Sequence, residues 1–242
     1  MLGLGNSISA DQYPGGWTPA ELGAKLNAWY RRGVGIAFGD ATADDGSTVS
    51  NKISEWADQS GNNNHAAPVN ASDAEECPTL VEGKIRFSGA HNSLVFTSTI
   101  NLEKFAIYFR ANWATTISND VPMEGDSNNF IKLASSTELR IKCGGDTRED
   151  ATIEQVTDDG SSTFNIGVER IADGTLAAYV GEAAGEWSTS GSKDGQSPIS
   201  NVLRLTQLGD GTQDSTWSEV VICNDALTSD ERTLLLAYLD EV

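Results

Sequence analysis

The residues able to do chemistry are few and poorly grouped. The densest acidic runs are Glu149-Asp150 and Glu154 followed by Asp158-Asp159. A retaining glycoside hydrolase needs two carboxyl groups about 5–5.5 Å apart across the bond it breaks. A Glu-x-Asp-x-x-Glu run on one strand aims carboxylates into one cleft, because alternate residues share a face. No such run occurs here, and these acids read as solvated loop charges. A nucleophile needs an adjacent base, yet the only histidines are His65 and His91, both in turn-like contexts. No Gly-x-Ser-x-Gly elbow is present. The expectation is no enzyme, with no catalytic residue and no organic cofactor.

Calcium is the one ion the residue types admit. Asp120, Glu124 and Asp126, with Asn128, form an oxygen-rich cluster, and Asp210 with Asp214 forms another. Asp58, Ser60 and Asn62 alternate as the first ligands of an EF loop would. Gly61 falls too early for that loop, and its twelfth position is Val69 rather than Glu. Turns bonding their own backbone are the competing reading of each cluster. Two histidines and three scattered cysteines, Cys77, Cys143 and Cys223, make no regular zinc site. The thiols read as reduced and buried. Trp113, Trp187 and Trp217 are the aromatic candidates for stacking on a sugar, with Trp29 and Trp56 assigned to the core. Trp187 sits in the Gly/Ser-rich stretch 181–197, read as a loop, and is the best exposed of them.

The elements that must position these residues are short strands. Apolar runs alternate with turn clusters from Lys52 onward, as in Lys52–Trp56, Phe105–Trp113, Phe130–Ala134, Glu138–Cys143 and Ser218–Cys223. Period-two alternation in Phe105–Phe109 and Leu139–Lys142 marks strands with one buried face. About a dozen such strands imply two sheets packed face to face. Residues 39–51 read as a polar surface loop. Thr18-Pro19-Ala20-Glu21 has the form of a capped helix start, ended by Gly23. Thr228-Ser229-Asp230-Glu231 is a second capping box, leading a helix whose apolar stripe is Leu234, Leu235, Tyr238 and Leu239.

These landmarks resemble the concanavalin A-like (laminin-G-like) jelly-roll domains frequent in phage and bacterial surface proteins. The matching residues are Thr18-Pro19-Ala20-Glu21-Leu22 with Leu26–Tyr30, and the corner Trp56-Ala57-Asp58-Gln59-Ser60-Gly61-Asn62-Asn63-Asn64-His65-Ala66. The strand pair Pro78–Val81 and Gly83–Gly89 follows, then Glu219–Ile222 with Ala226–Arg232. Where the family often carries an Asp pair, this chain has Ala90-His91-Asn92. The resemblance implies an all-β fold, a two-sheet jelly-roll sandwich with a short N-terminal helix and a C-terminal helix, over residues 17–242. Residues 1–16 precede it as an arm. The stretch Met1–Ser7 resembles the start of short virion proteins from tailed phages of marine bacteria.

That likeness implies a virion structural protein on the capsid or tail, a homo-oligomer repeated by the particle's symmetry and docked through Leu2, Leu4 and Ile8. It also allows an adhesion role, with host surface glycan touched through Trp187. The charge bears on partners: 16 Lys+Arg against 35 Asp+Glu give −19. Such a surface repels phosphate backbones and anionic lipid, so neither nucleic acid nor membrane is an expected partner. The first ten residues lack the basic and apolar regions of a signal peptide, which implies synthesis in a host cytoplasm. Removing residues 1–16 is expected to leave the fold intact and to abolish attachment to the particle. Circular dichroism and co-sedimentation check this, and full docking by the truncated chain would show that the arm is not the anchor.

Overall fold

The computed structural model describes residues 16–88, 92–157, 159–170, 174–189, 200–209 and 214–242, with the backbone alone for 186–189. A 3₁₀-helix (Pro19–Lys25) leads into β1 (Leu26–Tyr30), β2 (Ile36–Thr42), β3 (Thr48–Trp56), β4 (Ala66–Ala67), β5 (Thr79–Val81) and β6 (Lys84–Phe87). There follow β7 (Leu94–Leu102), β8 (Phe105–Trp113), β9 (Ser118–Asp126), β10 (Asn129–Ser135), β11 (Glu138–Cys143) and β12 (Glu149–Thr152). The chain continues through β13 (Phe164–Arg170), β14 (Leu176–Val180), β15 (Ala183–Ala184), β16 (Glu186–Thr189), β17 (Leu203–Leu208) and β18 (Ser215–Cys223). It closes with helix α1 (Ser229–Glu241).

Antiparallel pairing sorts these strands into two layers. Layer one runs β15-β14-β13-β8-β18, with β1 and β6 sharing the far edge of β18. Layer two runs β4-β7-β17-β9-β10-β11-β12-β16. Strand β3 joins them, pairing Trp56 with Ala66 of β4 and Lys52 with Thr79 of β5. Phe105, Ile107, Phe109, Trp113 and Trp217 of layer one meet Met123, Ile131, Leu139, Ile141 and Leu205 of layer two in one buried core. The all-β sandwich with two short helices is therefore the fold.

The outer face of layer one is not open. Ala106 and Tyr108, read from sequence as an exposed face of β8, are fully buried because α1 and the 3₁₀-helix lie over them. A central strand covered on both sides reads as a near-continuous apolar run, not as alternation. The Tyr108 ring lies over Gly167 of β13, where an added Cβ would sit 2.2 Å from Cε1 of the tyrosine. The helix is held by two buried carboxylates. Glu219 of β18 accepts from Trp29 Nε1 at 2.6 Å, Arg32 N at 3.0 Å and Tyr238 Oη at 2.5 Å. Glu169 of β13 accepts from Tyr108 Oη at 2.5 Å and from Arg232 Nε at 2.7 Å.

Sequence expectations hold or fail here for local reasons. The capping box at Thr228 and Glu231 forms in both directions. Leu236, not Leu234, completes the buried stripe, and Leu234 is 44 % exposed. Thr18 makes no side-chain cap, since the Glu21 N–H that a cap would take already donates to Thr18 O at 3.0 Å in the 3₁₀ turn. Residues 39–51, expected as a loop, belong mostly to the β2–β3 hairpin, whose turn spans 43–47. The corner after Trp56 is organised by Asp58, which is nearly buried. Its carboxylate accepts from Trp29 N, Ser60 N, Ser60 Oγ and Asn64 N. His65 Nδ1 accepts from Asp58 N at 3.0 Å.

Both kinds of carboxylate can be tested. Asp58→Ala strands three backbone N–H groups in the corner and is expected to cost about 2–4 kcal/mol in chemical denaturation. Burial pushes the Glu219 carboxyl from an ordinary 4.5 up to about 7, against the three donors that favour its charge. A carboxyl raised in the folded state contributes stability below its unfolded value and loses it as pH rises through the folded one. Melting curves from about pH 5 to about pH 8 should therefore show wild type losing stability relative to Glu219→Gln as pH rises. Parallel curves would refute the assignment.

Candidate functional site

With layer one capped by α1, the broad sheet surface that no described residue covers is the outer face of layer two. Its residues are fixed by the alternation of β10 and β11. Ile131, Leu133, Leu139, Ile141 and Cys143 point inward and are fully buried, which turns Phe130, Lys132, Glu138, Arg140 and Lys142 outward. Register then aligns one row across four strands. Gln207 of β17 faces Glu124 of β9, Glu124 faces Phe130 of β10, and Phe130 faces Lys142 of β11. At about 4.8 Å between strands the row spans roughly 14 Å, room for a short oligosaccharide.

Phe130 is partly exposed at the centre of that row. On one side Gln207 Nε2 donates to Glu124 Oε1 at 3.1 Å. On the other, Lys142 Nζ donates to Asn128 Oδ1 at 2.7 Å. An apolar ring between carboxylate, amide and ammonium groups offers both a stacking face and hydroxyl partners. A second row lies beside the first: Lys132 faces Arg140, which faces Asp150 of β12. Arg140 is held by Glu138 at 2.6 Å and by Asp150 at 3.5 Å, and Arg148 binds Asp150 at 2.9 Å. A separate recess of about 500 Å³ opens at one end of the sandwich, lined by Lys25, Asn101, Glu103, Val202, Asn224 and Asp225. Its lysine is taken by Glu231 at 2.7 Å, and no aromatic residue lines it.

The residues singled out from sequence fall elsewhere or are dispersed. Asp120 is buried and accepts from Trp113 Nε1 at 2.7 Å. Asp126 closes the β9–β10 turn, accepting from Asn128 N at 2.7 Å and Asn129 Nδ2 at 3.1 Å, and those bonds hold its carboxyl below the usual range. The two lie about 20 Å apart along β9 with Glu124 between them, so the three do not converge on one cation. Among the described residues no group of three His, Cys, Asp or Glu side chains could hold a metal. Asp120, Glu124 and Asp126 therefore do not form one shared calcium site. Both oxygens of Asp58 are likewise engaged by its corner.

Trp113 and Trp217 are buried in the core and cannot meet a sugar. Trp187 lies in β16 opposite Ala151, not in a loop. Glu149, read as a solvated loop charge, is fully buried in β12. Burial raises the Cys143 and Cys223 thiols to about 12, which leaves them poor nucleophiles. Leu2, Leu4, Ile8, His91 and Asp210 lie outside the described residues. Phe130, Lys132, Lys142 and Gln207 were not singled out from sequence. The alternation of β10 and β11 puts the first three on one face, but the face that stays open depends on where α1 packs.

No protein-family model and no curated protein matches the sequence. Solved structures do. Trypanosoma rangeli sialidase in complex with sialic acid matches at TM-score 0.56 and 14% identity, over 90% of this chain and 33% of that one. Botulinum neurotoxin type C, in a structure addressing cell entry through two ganglioside molecules, matches at 0.51 and 14%, over 86% and 52%. The binding domain of Paraclostridial Mosquitocidal Protein 1 matches at 0.54 and 13%, over 85% and 52%. This chain thus spans about a third of the sialidase and about half of each toxin chain. At such identity the likeness is one of fold.

One expectation is corrected by these matches. The exclusion of an enzyme rested on the missing Glu-x-Asp-x-x-Glu run, the lack of a base beside a nucleophile and the missing Gly-x-Ser-x-Gly elbow, yet the same sandwich recurs within sialidase chains that match this one. Absence of one family's carboxylate spacing therefore does not exclude an enzyme, because chemistry depends on the site and not on the scaffold. The matched structures are those of sialidases and toxins, and a place on a virion draws no support from them.

Proposed function

We propose that this chain is a glycan-recognition module that binds a saccharide on the open face of layer two. The observation that carries the reading is the partly exposed Phe130 on the uncovered sheet, flanked by the preformed pairs Glu124–Gln207 and Asn128–Lys142. The ring takes the apolar face of a pyranose, and the flanking groups take its hydroxyls. Because Gln207, Glu124, Phe130 and Lys142 stand on adjacent hydrogen-bonded strands, little ordering is lost on binding. Two of the structures sharing the fold concern sialic acid and gangliosides, which supports the reading. On a virion, as the N-terminal resemblance implies, the same face would meet host glycan; that placement rests on the arm alone.

A glycan array with wild type, Phe130→Ala and Trp187→Ala tests this. Wild type is expected to give hits, and Phe130→Ala to weaken them about tenfold at unchanged melting temperature. Loss with Trp187→Ala and not with Phe130→Ala would move the contact to β16. A wild-type array without hits would sink the reading.

A further inference from the structure

The open face of layer two differs in charge from the rest of the chain. The molecule carries 35 acidic against 16 basic residues, yet Lys132, Arg140, Lys142 and Arg204 project from this face beside Glu124, Glu138 and Asp150. Within it, Lys132 and Arg140 stand directly opposite each other on β10 and β11. Like charges placed so are destabilising for a sheet. Arg140 is neutralised by Glu138 and Asp150. Lys132 is not, since among the described residues it enters no ion pair or hydrogen bond. Lys142 bonds the neutral amide of Asn128 rather than a carboxylate.

Both lysines flank Phe130. Lys142 faces it across the strand pair, and Lys132 follows two residues along β10 on the same side, about 7 Å away. Lys132 stands on this row with its ammonium in no ion pair or hydrogen bond among the described residues. An anion seated beside the phenyl ring would satisfy that ammonium. We infer that the saccharide bound on Phe130 carries a carboxylate, received by Lys132 with Lys142 beside it. This deepens the glycan reading and rests on it. Nucleic acid and anionic lipid are disfavoured by the acidic remainder of the surface, whereas a single sugar carboxylate reaches only this row.

The test compares free acids with their own methyl esters, using sialyl- and glucuronyl-terminated oligosaccharides and neutral lactose, titrated against the full chain. The free acid is expected to bind about fivefold tighter than its ester at low salt, the scale of one exposed ion pair. Lys132→Gln should lower the free acid's affinity and so close that gap. It should also melt close to wild type, because the ammonium makes no ion pair or hydrogen bond within the described fold. Equal binding of acid and ester, or a gap that survives Lys132→Gln, overturns the inference. A lower melting temperature also overturns it, by showing that the lysine serves the fold. If neutral glycans bind without preference for acids, this inference falls and the glycan reading stands. If no saccharide binds, both fall.

Discussion

The buried carboxylate of Glu219 is the joint on which the arrangement of this molecule depends. It stands on β18 and takes hydrogen bonds from the Trp29 indole of β1, the backbone after β1 and the Tyr238 hydroxyl of α1. A carboxylate out of water is tolerable only with such partners, and removing one exposes the full desolvation cost. The requirement therefore ties three elements into one position. Glu169, gripped by Arg232 and Tyr108, repeats the device one strand over from β8. Together they seat α1 on layer one, and Leu235, Leu236 and Leu239 complete the seal.

Seating α1 there decides the surface on the opposite side. A two-layer sandwich has two inner faces that make the core and two outer faces that can be covered or left to water. One outer face is now used. Among the described residues, the other holds polar and basic side chains around the Phe130 ring, on hydrogen-bonded strands. Such a surface needs no further packing to persist, and its side chains are held apart by strand spacing. Rigid strands also distinguish this site from one built on loops, where ordering would draw on binding energy.

The structural matches share this scaffold at identities too low to carry residues across. On the proposed reading, saccharide specificity is therefore set by this chain's own face. There the local charge opposes the global one. A strongly acidic chain keeps Lys132 and Lys142 beside a partly exposed aromatic, with Lys132 opposite Arg140.

By itself the sequence determined the elements whose information is local. Alternation in Glu138–Cys143 marked a strand with one wet face, the capping box at Thr228 marked a helix start, and the Asp and Asn residues after Trp56 marked a turn that bonds its own backbone. Strand β9 was not legible, since Asn119, Asp120, Pro122 and Gly125 are poor strand formers held by pairing to β10 and β17 across bulges. The burial of Glu149, Glu169 and Glu219 was equally hidden, because a charge goes inside only when distant residues supply its partners. Tertiary structure alone decided that Tyr108 is covered while Phe130 is not. Both sit at alternating positions of similar strands, and the difference is the packing of α1, which arrives about a hundred residues or more later in the chain.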